Sequence, residues 1–178
     1  MKILKIILIV LLILIAIPLV AAIFVPKDYY VEREVTINKP HQEVYSYVRL
    51  LRNQDNFSTW SSRDPAMKKS YTGSDGEVGF IAAWESENPD VGVGEQEIIA
   101  IEEGRRIDYA LRFKEPFEAS DRAHMEFEEL GANQTKVIWG FEGHMDYPMN
   151  AMLLFIDMES LLGNDFESGL QQLKEILE

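Results

Sequence analysis

Two charged residues interrupt patterns that are otherwise apolar, and chemistry is sought there first. Counting 100° per residue from Phe155, the residues Met158, Leu162, Phe166, Gly169, Leu170, Leu173, Ile176 and Leu177 fall within about 60° of it, as on the apolar stripe of an amphipathic helix. Glu159 falls inside that stripe. Arg33 shares the apolar face of an alternating segment with Val31, Val35 and Ile37. A lone charge on a buried face costs several kcal/mol unless it is paired. The functional reading is that the two pair and orient a ligand head group, or that Glu159 is a general acid. The competing reading, which is preferred, is that each reaches water past apolar neighbours.

The histidines offer less. His41, His124 and His144 lie on different elements without helical ligand spacing, so no metal site is expected. His144 with Asp146 could form half of an acid–base site, which makes His144 the second catalytic candidate. His124 has the polar parity of its segment and is expected in solvent. Glu95 and Glu97 alternate together and could face either a cavity or water. Cysteine is absent, which excludes disulfides, thiolate metal sites and Cys nucleophiles. No Gly-x-Ser-x-Gly elbow, phosphate loop, dinucleotide fingerprint or calcium loop is present, and no cofactor is implied.

The elements that would position these residues follow from hydrophobic period. Tyr30–Ile37 alternates as a strand, and Asn38-Lys39-Pro40 leads into a helix over His41–Leu51. Arg52–Asp64 is polar around Phe57 and Trp60, with a short helix. Strands follow at Met67–Ser74, Val78–Glu85, Gly92–Glu102, Ile107–Phe113, Ala123–Glu128 and Val137–Phe141. Asp75-Gly76 marks a tight hairpin between the first two of these. Met149–Leu154 is a separate short helix before the long one. Strands in a run, then a helix, give an α+β fold whose antiparallel sheet of about seven strands wraps one long helix. A strongly twisted sheet leaves a cavity beneath such a helix. Phe80, Trp84, Tyr109, Phe113, Met125, Phe127, Trp139 and Phe141 share the inward parity of their strands. With Met158, Leu162 and Phe166 they divide between core and cavity wall. Arg33, Glu159 and Trp60 complete the candidate ligand-binding set.

Ahead of this domain, Ile6 to Val25 carries no charge, about the 20 residues a membrane span requires. Lys2 and Lys5 precede it and a mixed flank follows, which places the N-terminus in the cytoplasm and the domain outside. The chain divides into an anchor, residues 1–26, and a domain, residues 27–178. A cleaved signal peptide ending near Val20-Ala21-Ala22 is the alternative, but its apolar region would normally be about 7–15 residues. Of the 17 basic residues two precede the span, leaving 15 against 30 acidic ones, a net of −15. Nucleic acid is thereby excluded as a partner. The bilayer, through residues 6–25, is an expected one. No protein partner can be read.

Three stretches resemble the helix-grip (START-like, SRPBCC) superfamily and its bacterial polyketide cyclase/dehydrase-like members. They are Tyr30-Val-Glu-Arg-Glu-Val-Thr-Ile37 with Asn38-Lys-Pro and Val44-Tyr-Ser-Tyr-Val48, then Phe57 with Trp60, then Asp165-Phe-Glu-Ser-Gly-Leu-Gln-Gln-Leu-Lys174. The resemblance covers residues 29–178 and implies a hydrophobic cavity for a lipid-like or aromatic ligand. The reading adopted is membrane-anchored binding of a small hydrophobic molecule without transformation. The alternatives are a cyclase or dehydratase-like enzyme in the same cavity and a co-chaperone-like protein-binding module.

Overall fold

The computed structural model describes residues 2–178. Among these, four α-helices and seven strands run in the order α1 (Lys2–Ala22), β1 (Asp28–Ile37), α2 (His41–Arg49), α3 (Thr59–Ser62), β2 (Lys68–Thr72), β3 (Ile81–Glu85), β4 (Val93–Glu102), β5 (Arg106–Glu115), β6 (Ala119–Gly131), β7 (Gln134–His144) and α4 (Met158–Leu177). Short 3-10 helices cover Leu51–Asn56 and Met149–Leu154. The strands form one antiparallel sheet in the order β1-β7-β6-β5-β4-β3-β2, with α4 packed on β1. This is the expected α+β helix-grip architecture.

Strand register converts the alternating sequence into transverse rows of inward side chains. Ile107, Met125, Trp139 and Arg33 form one row; Phe127, Val137 and Val35 form a row deeper in the domain. Large side chains fill this end, packed under α2 by Val44, Tyr45 and Val48, all buried. Nearer the end where α1 enters, the row reads Tyr71, Ala82, Gln96, Leu111 and Asp121, and Tyr29 opposite Gly143 continues it. Here Ala82 is small and Gln96 and Asp121 are short and polar, and volume is left unfilled.

Several local expectations shift. Asp75-Gly76 does not form a two-residue hairpin. Thr72 pairs with Ile81, so an eight-residue loop joins β2 and β3. The Asp75 carboxylate is instead spent on the backbone N–H groups of Leu51 (2.7 Å) and Arg52 (3.3 Å) at the start of a 3-10 helix. His124 is not in solvent. It is 3 % exposed, stacked by Tyr30, with Gly140 opposite leaving room for its ring. Burial and the nearby Arg106 depress its pKa and keep it neutral. Glu95 and Glu97 take the outer face, where Arg112 and Lys114 pair with them.

The C-terminal helix starts later than its stripe suggests. Asp157 caps it, accepting from Ser160 N (3.1 Å) and Ser160 Oγ (2.6 Å). Phe155 therefore lies outside the helix, 80 % exposed. Phe166 stacks on Trp139 with ring centroids 4.7 Å apart, and Leu170 and Leu173 are buried behind it. Gly169 brings α4 close to Phe57; a Cβ there would lie 3.0 Å from both the Phe57 carbonyl and Trp139.

At the other terminus α1 has 21 residues, about 30 Å of helix, with Pro18 inside it. It is long and apolar enough to cross a membrane, and it ends at Ala22, before the end of the apolar run at Val25. Asn150, 1 % exposed, donates from Nδ2 to the carbonyls of Ala22 (2.7 Å) and Val25 (3.0 Å). It satisfies acceptors that the helix end leaves open.

The Phe166–Trp139 stack generates a stability prediction. Phe166→Ala should destabilise the folded chain by about 3–5 kcal/mol, read by denaturant unfolding in detergent. An unchanged unfolding midpoint would show that α4 is not seated there.

Candidate functional site

The unfilled end of the sheet is a cavity of about 310 Å³. Its floor is the row Tyr71, Ala82, Gln96, Leu111, Asp121 and Tyr29, and its roof is the first half of α4 with α3. Three aromatics frame one side. Trp60 and Trp84 meet Phe113 edge-on, with centroids 6.1 Å and 5.9 Å away. Gly94 permits this, since a Cβ there would fall 2.5 Å from Trp84 Cζ2. Trp139, Phe141 and Phe166 close the deep side. The Trp60 Nε1 atom is buried without a protein acceptor.

Three carboxylates border this space, and two are compensated. Asp165 pairs with Arg63 at 2.6 Å. Asp55 pairs with Lys69 at 2.8 Å and accepts from Tyr71 Oη (3.0 Å) and Ser61 Oγ (3.1 Å). Asp121 has no cationic side chain in ion-pair reach among the described residues. It accepts only the His144 backbone N–H, at 3.0 Å. Burial pushes its carboxyl above the usual range, against the pull of that N–H and of His144. Tyr29 lies beside it on the floor, its phenol pushed up to about 12 by burial and then by Asp121.

Of the residues predicted from sequence, Trp60, Trp84, Phe113, Trp139, Phe141, Met158, Leu162 and Phe166 line this cavity. Phe80, Tyr109, Met125 and Phe127 do not. They are inward-facing as expected but sit within the packed core, where Tyr45 meets Phe127 edge-on and Phe80 stacks on Tyr71. Inward parity is shared by both ends of each strand, so parity cannot separate core from cavity. Arg33 and Glu159 do meet, with Nη1 and Oε1 2.9 Å apart, yet neither lines the cavity. The Glu159 side chain is 59 % exposed, and Gly163 makes room for the Arg33 guanidinium beneath α4. His144 lies on the outer side of β7 with both ring nitrogens occupied, Nδ1 by Asp28 at 2.5 Å and Nε2 by Asp146 at 3.4 Å. Those carboxylates, Asp28 first, raise its pKa, and it forms no part of the cavity wall. Among the described residues no group of three or more acidic or His side chains is placed to hold a metal.

Sequence reasoning overlooked Tyr29, Tyr71, Gln96 and Asp121. Asp121 was findable, since it has the inward parity of Ala123, Met125 and Phe127. Gln96 was not, because β4 carries register shifts at Val93/Gly94 and Ile98/Ala100 that unsettle parity counted from either end.

Two measurements test this geometry. Because Glu159 is largely exposed, a double-mutant cycle with Arg33→Met and Glu159→Gln should give a coupling below about 1 kcal/mol. A coupling of about 3 kcal/mol or more would mark a buried pair. Asp121 predicts a pH dependence. Its folded pKa lies above the unfolded value of about 3.9, so its ionisation weakens folding as pH rises through that interval. Asp121→Asn should melt above wild type at pH 7, with the gap closing toward pH 4. A gap independent of pH would show that the carboxyl is not buried as described.

The fold recurs in solved structures. A protein of Nitrosospira multiformis superposes with TM-score 0.57 at 19 % identity, covering 84 % of this chain and 97 % of that one. A Chromobacterium violaceum protein gives 0.58 at 14 %, covering 84 % and 96 %. The Aha1 dimer from Colwellia psychrerythraea gives 0.56 at 12 %, covering 84 % and 96 %. At these identities the likeness is one of fold. No curated protein matches the sequence. The sequence model described as polyketide cyclase / dehydrase and lipid transport matches residues 30–178, nearly the whole domain around the cavity, and the chain belongs to that family.

Proposed function

We propose that residues 1–26 anchor the chain in a membrane and that the domain of residues 27–178 binds a small hydrophobic molecule without transforming it. The observation that carries this reading is the cavity of about 310 Å³, apolar in most of its lining, with one uncompensated carboxylate on its floor. The volume is near the lower end of ligand pockets, about 300–1,000 Å³. It suits one fused-ring aromatic or a single chain better than a whole two-chain lipid. The proposed ligand places its apolar body between Trp84, Phe113, Leu162 and Phe166. A hydrogen-bond donor on it meets Asp121. The two Lys before the span orient the N-terminus to the cytoplasm and the domain outside.

Asp121 also supports a second reading. A carboxyl with a raised pKa in an apolar cavity can act as a general acid, as a dehydratase or cyclase requires. The titratable neighbour on the floor is Tyr29, whose phenol is pushed up to about 12, and binding is the preferred reading.

The test is native mass spectrometry of the full chain purified in detergent. A small apolar adduct should accompany wild type, and Ala82→Trp, which fills the floor, should release it without loss of folding. Asp121→Asn should retain a neutral ligand. An adduct that survives Ala82→Trp would place the ligand elsewhere. Turnover of a ligand analogue that falls about 10²–10⁴-fold in Asp121→Asn would establish the enzymatic reading instead. Carbonate extraction should leave the chain in the membrane pellet. A soluble product beginning at Ile23 would show a cleaved signal peptide.

A further inference from the structure

The cavity lies at the same end of the sheet as the exit of α1. Tyr29 is the second residue of β1, only seven positions beyond Ala22, and its row across the sheet is the cavity floor. The half of α4 that roofs the cavity is its N-terminal half, next to the Met149–Leu154 helix. That helix is fastened to the end of α1 through Asn150, whose amide holds the Ala22 and Val25 carbonyls. The cavity roof, the Met149–Leu154 helix and the α1 exit therefore form one unit, joined by chain continuity and by Asn150.

The same unit carries an exposed apolar surface. Phe24 is 82 % exposed and Phe155 80 % exposed, and Met152, Leu154 and Leu161 are also exposed around them. Leu154 and Phe155 border one depression with Val25 and Pro26, while Leu161 belongs to the cavity wall. The patch thus runs from the end of the apolar helix toward Leu161 on the cavity wall, with the exposed carboxylates of Asp157 and Glu159 between Phe155 and Leu161. Such a patch is unusual on a surface facing only water. A surface continuous with a membrane span sits at the depth where the span leaves the bilayer, about 5–10 Å of which is the boundary between headgroups and acyl chains.

We infer that this collar is seated in the bilayer surface, so that the cavity opens onto lipid rather than onto bulk water and takes its ligand from the membrane. The inference rests on the membrane-anchored reading above and narrows it to a membrane-dissolved ligand. Charge does not drive the docking, since the domain is strongly acidic; the apolar side chains do. The partner surface is accordingly a zwitterionic or weakly charged bilayer.

The chain lacks cysteine, so single labels can be placed at will. Leu12→Cys, Leu130→Cys, Phe155→Cys and Leu161→Cys are each given a nitroxide in the full chain, reconstituted in phosphatidylcholine nanodiscs. Collision with oxygen is then compared with collision with a water-soluble nickel complex. Leu12 lies within α1, and Leu130 is exposed at the opposite end of the sheet, so these two set the lipid and water limits. Labels at 155 and 161 should shift from the water limit toward the lipid limit. Values equal to Leu130, with Leu12 still in lipid, overturn the docking and leave the anchor intact. Labels at 155 and 161 shielded from both reagents, as in a contact with a second protein copy, also overturn it. A Leu12 label that reports water defeats the membrane-anchored reading itself.

Discussion

The face-to-face packing of Phe166 on Trp139 sets where this domain is solid and where it is hollow. The rings lie 4.7 Å apart and 12° from parallel. Gly169, one turn on, lets the helix backbone approach Phe57 and Trp139 closely. From there to its C-terminus α4 buries Leu170 and Leu173 against large inward residues. Toward its N-terminus the helix meets a row containing Ala82, Gln96 and Asp121, which cannot reach it. A rigid helix seated at one end over side chains of unequal length must leave a gap at the other, because interiors close-pack only where volumes match. The gap follows from side-chain size along the strands.

Polarity within the gap is as uneven as its packing. Asp55 and Asp165 each face a cation and are largely settled by it. Asp121 is left with one backbone N–H, and its raised pKa records the cost of that isolation. Buried polar groups are normally satisfied, and the exceptions concentrate at sites of function. By contrast the Arg33–Glu159 pair is complete in itself and open to water at Glu159, so it contributes to the docking of α4 rather than to the cavity.

Much of this was legible from residues alone, and the failures share a cause. The strand alternation from Ile107 to Phe113 and the stripe from Met158 to Leu173 are long and regular, and the sheet and the closing helix followed from them. Phe155 fits the helical stripe by angle, but Asp157 caps the helix two residues later. Capping is decided by a few local hydrogen bonds that periodicity does not see. Arg33 and Glu159 share a misfit and do meet, with Glu159 largely in water, yet the cavity lies elsewhere. Periodicity reports the face of an element; whether that face meets a helix or a void depends on residues far away in the chain. His124 shows the same limit: a polar position on the outer face is buried because Gly140 on the adjacent strand β7 leaves room for its ring and Tyr30 on β1, one strand further, stacks over it.

On the membrane-tethered reading, the acidity of the domain and its apolar collar are complementary. A net charge of −15 over residues 27–178 would hold a free domain away from an anionic surface. That repulsion decays within about 8–10 Å at physiological salt. Desolvation of Phe155 and its neighbours, about 1.5–3 kcal/mol for each fully buried side chain, acts only at contact. A free domain would therefore meet the barrier before the attraction. Covalent attachment through α1 removes this difficulty, because the tether holds the collar within contact range and makes docking an intramolecular step. Asn150 then fixes which end of the domain faces the bilayer, and the strand register has already placed the cavity at that end.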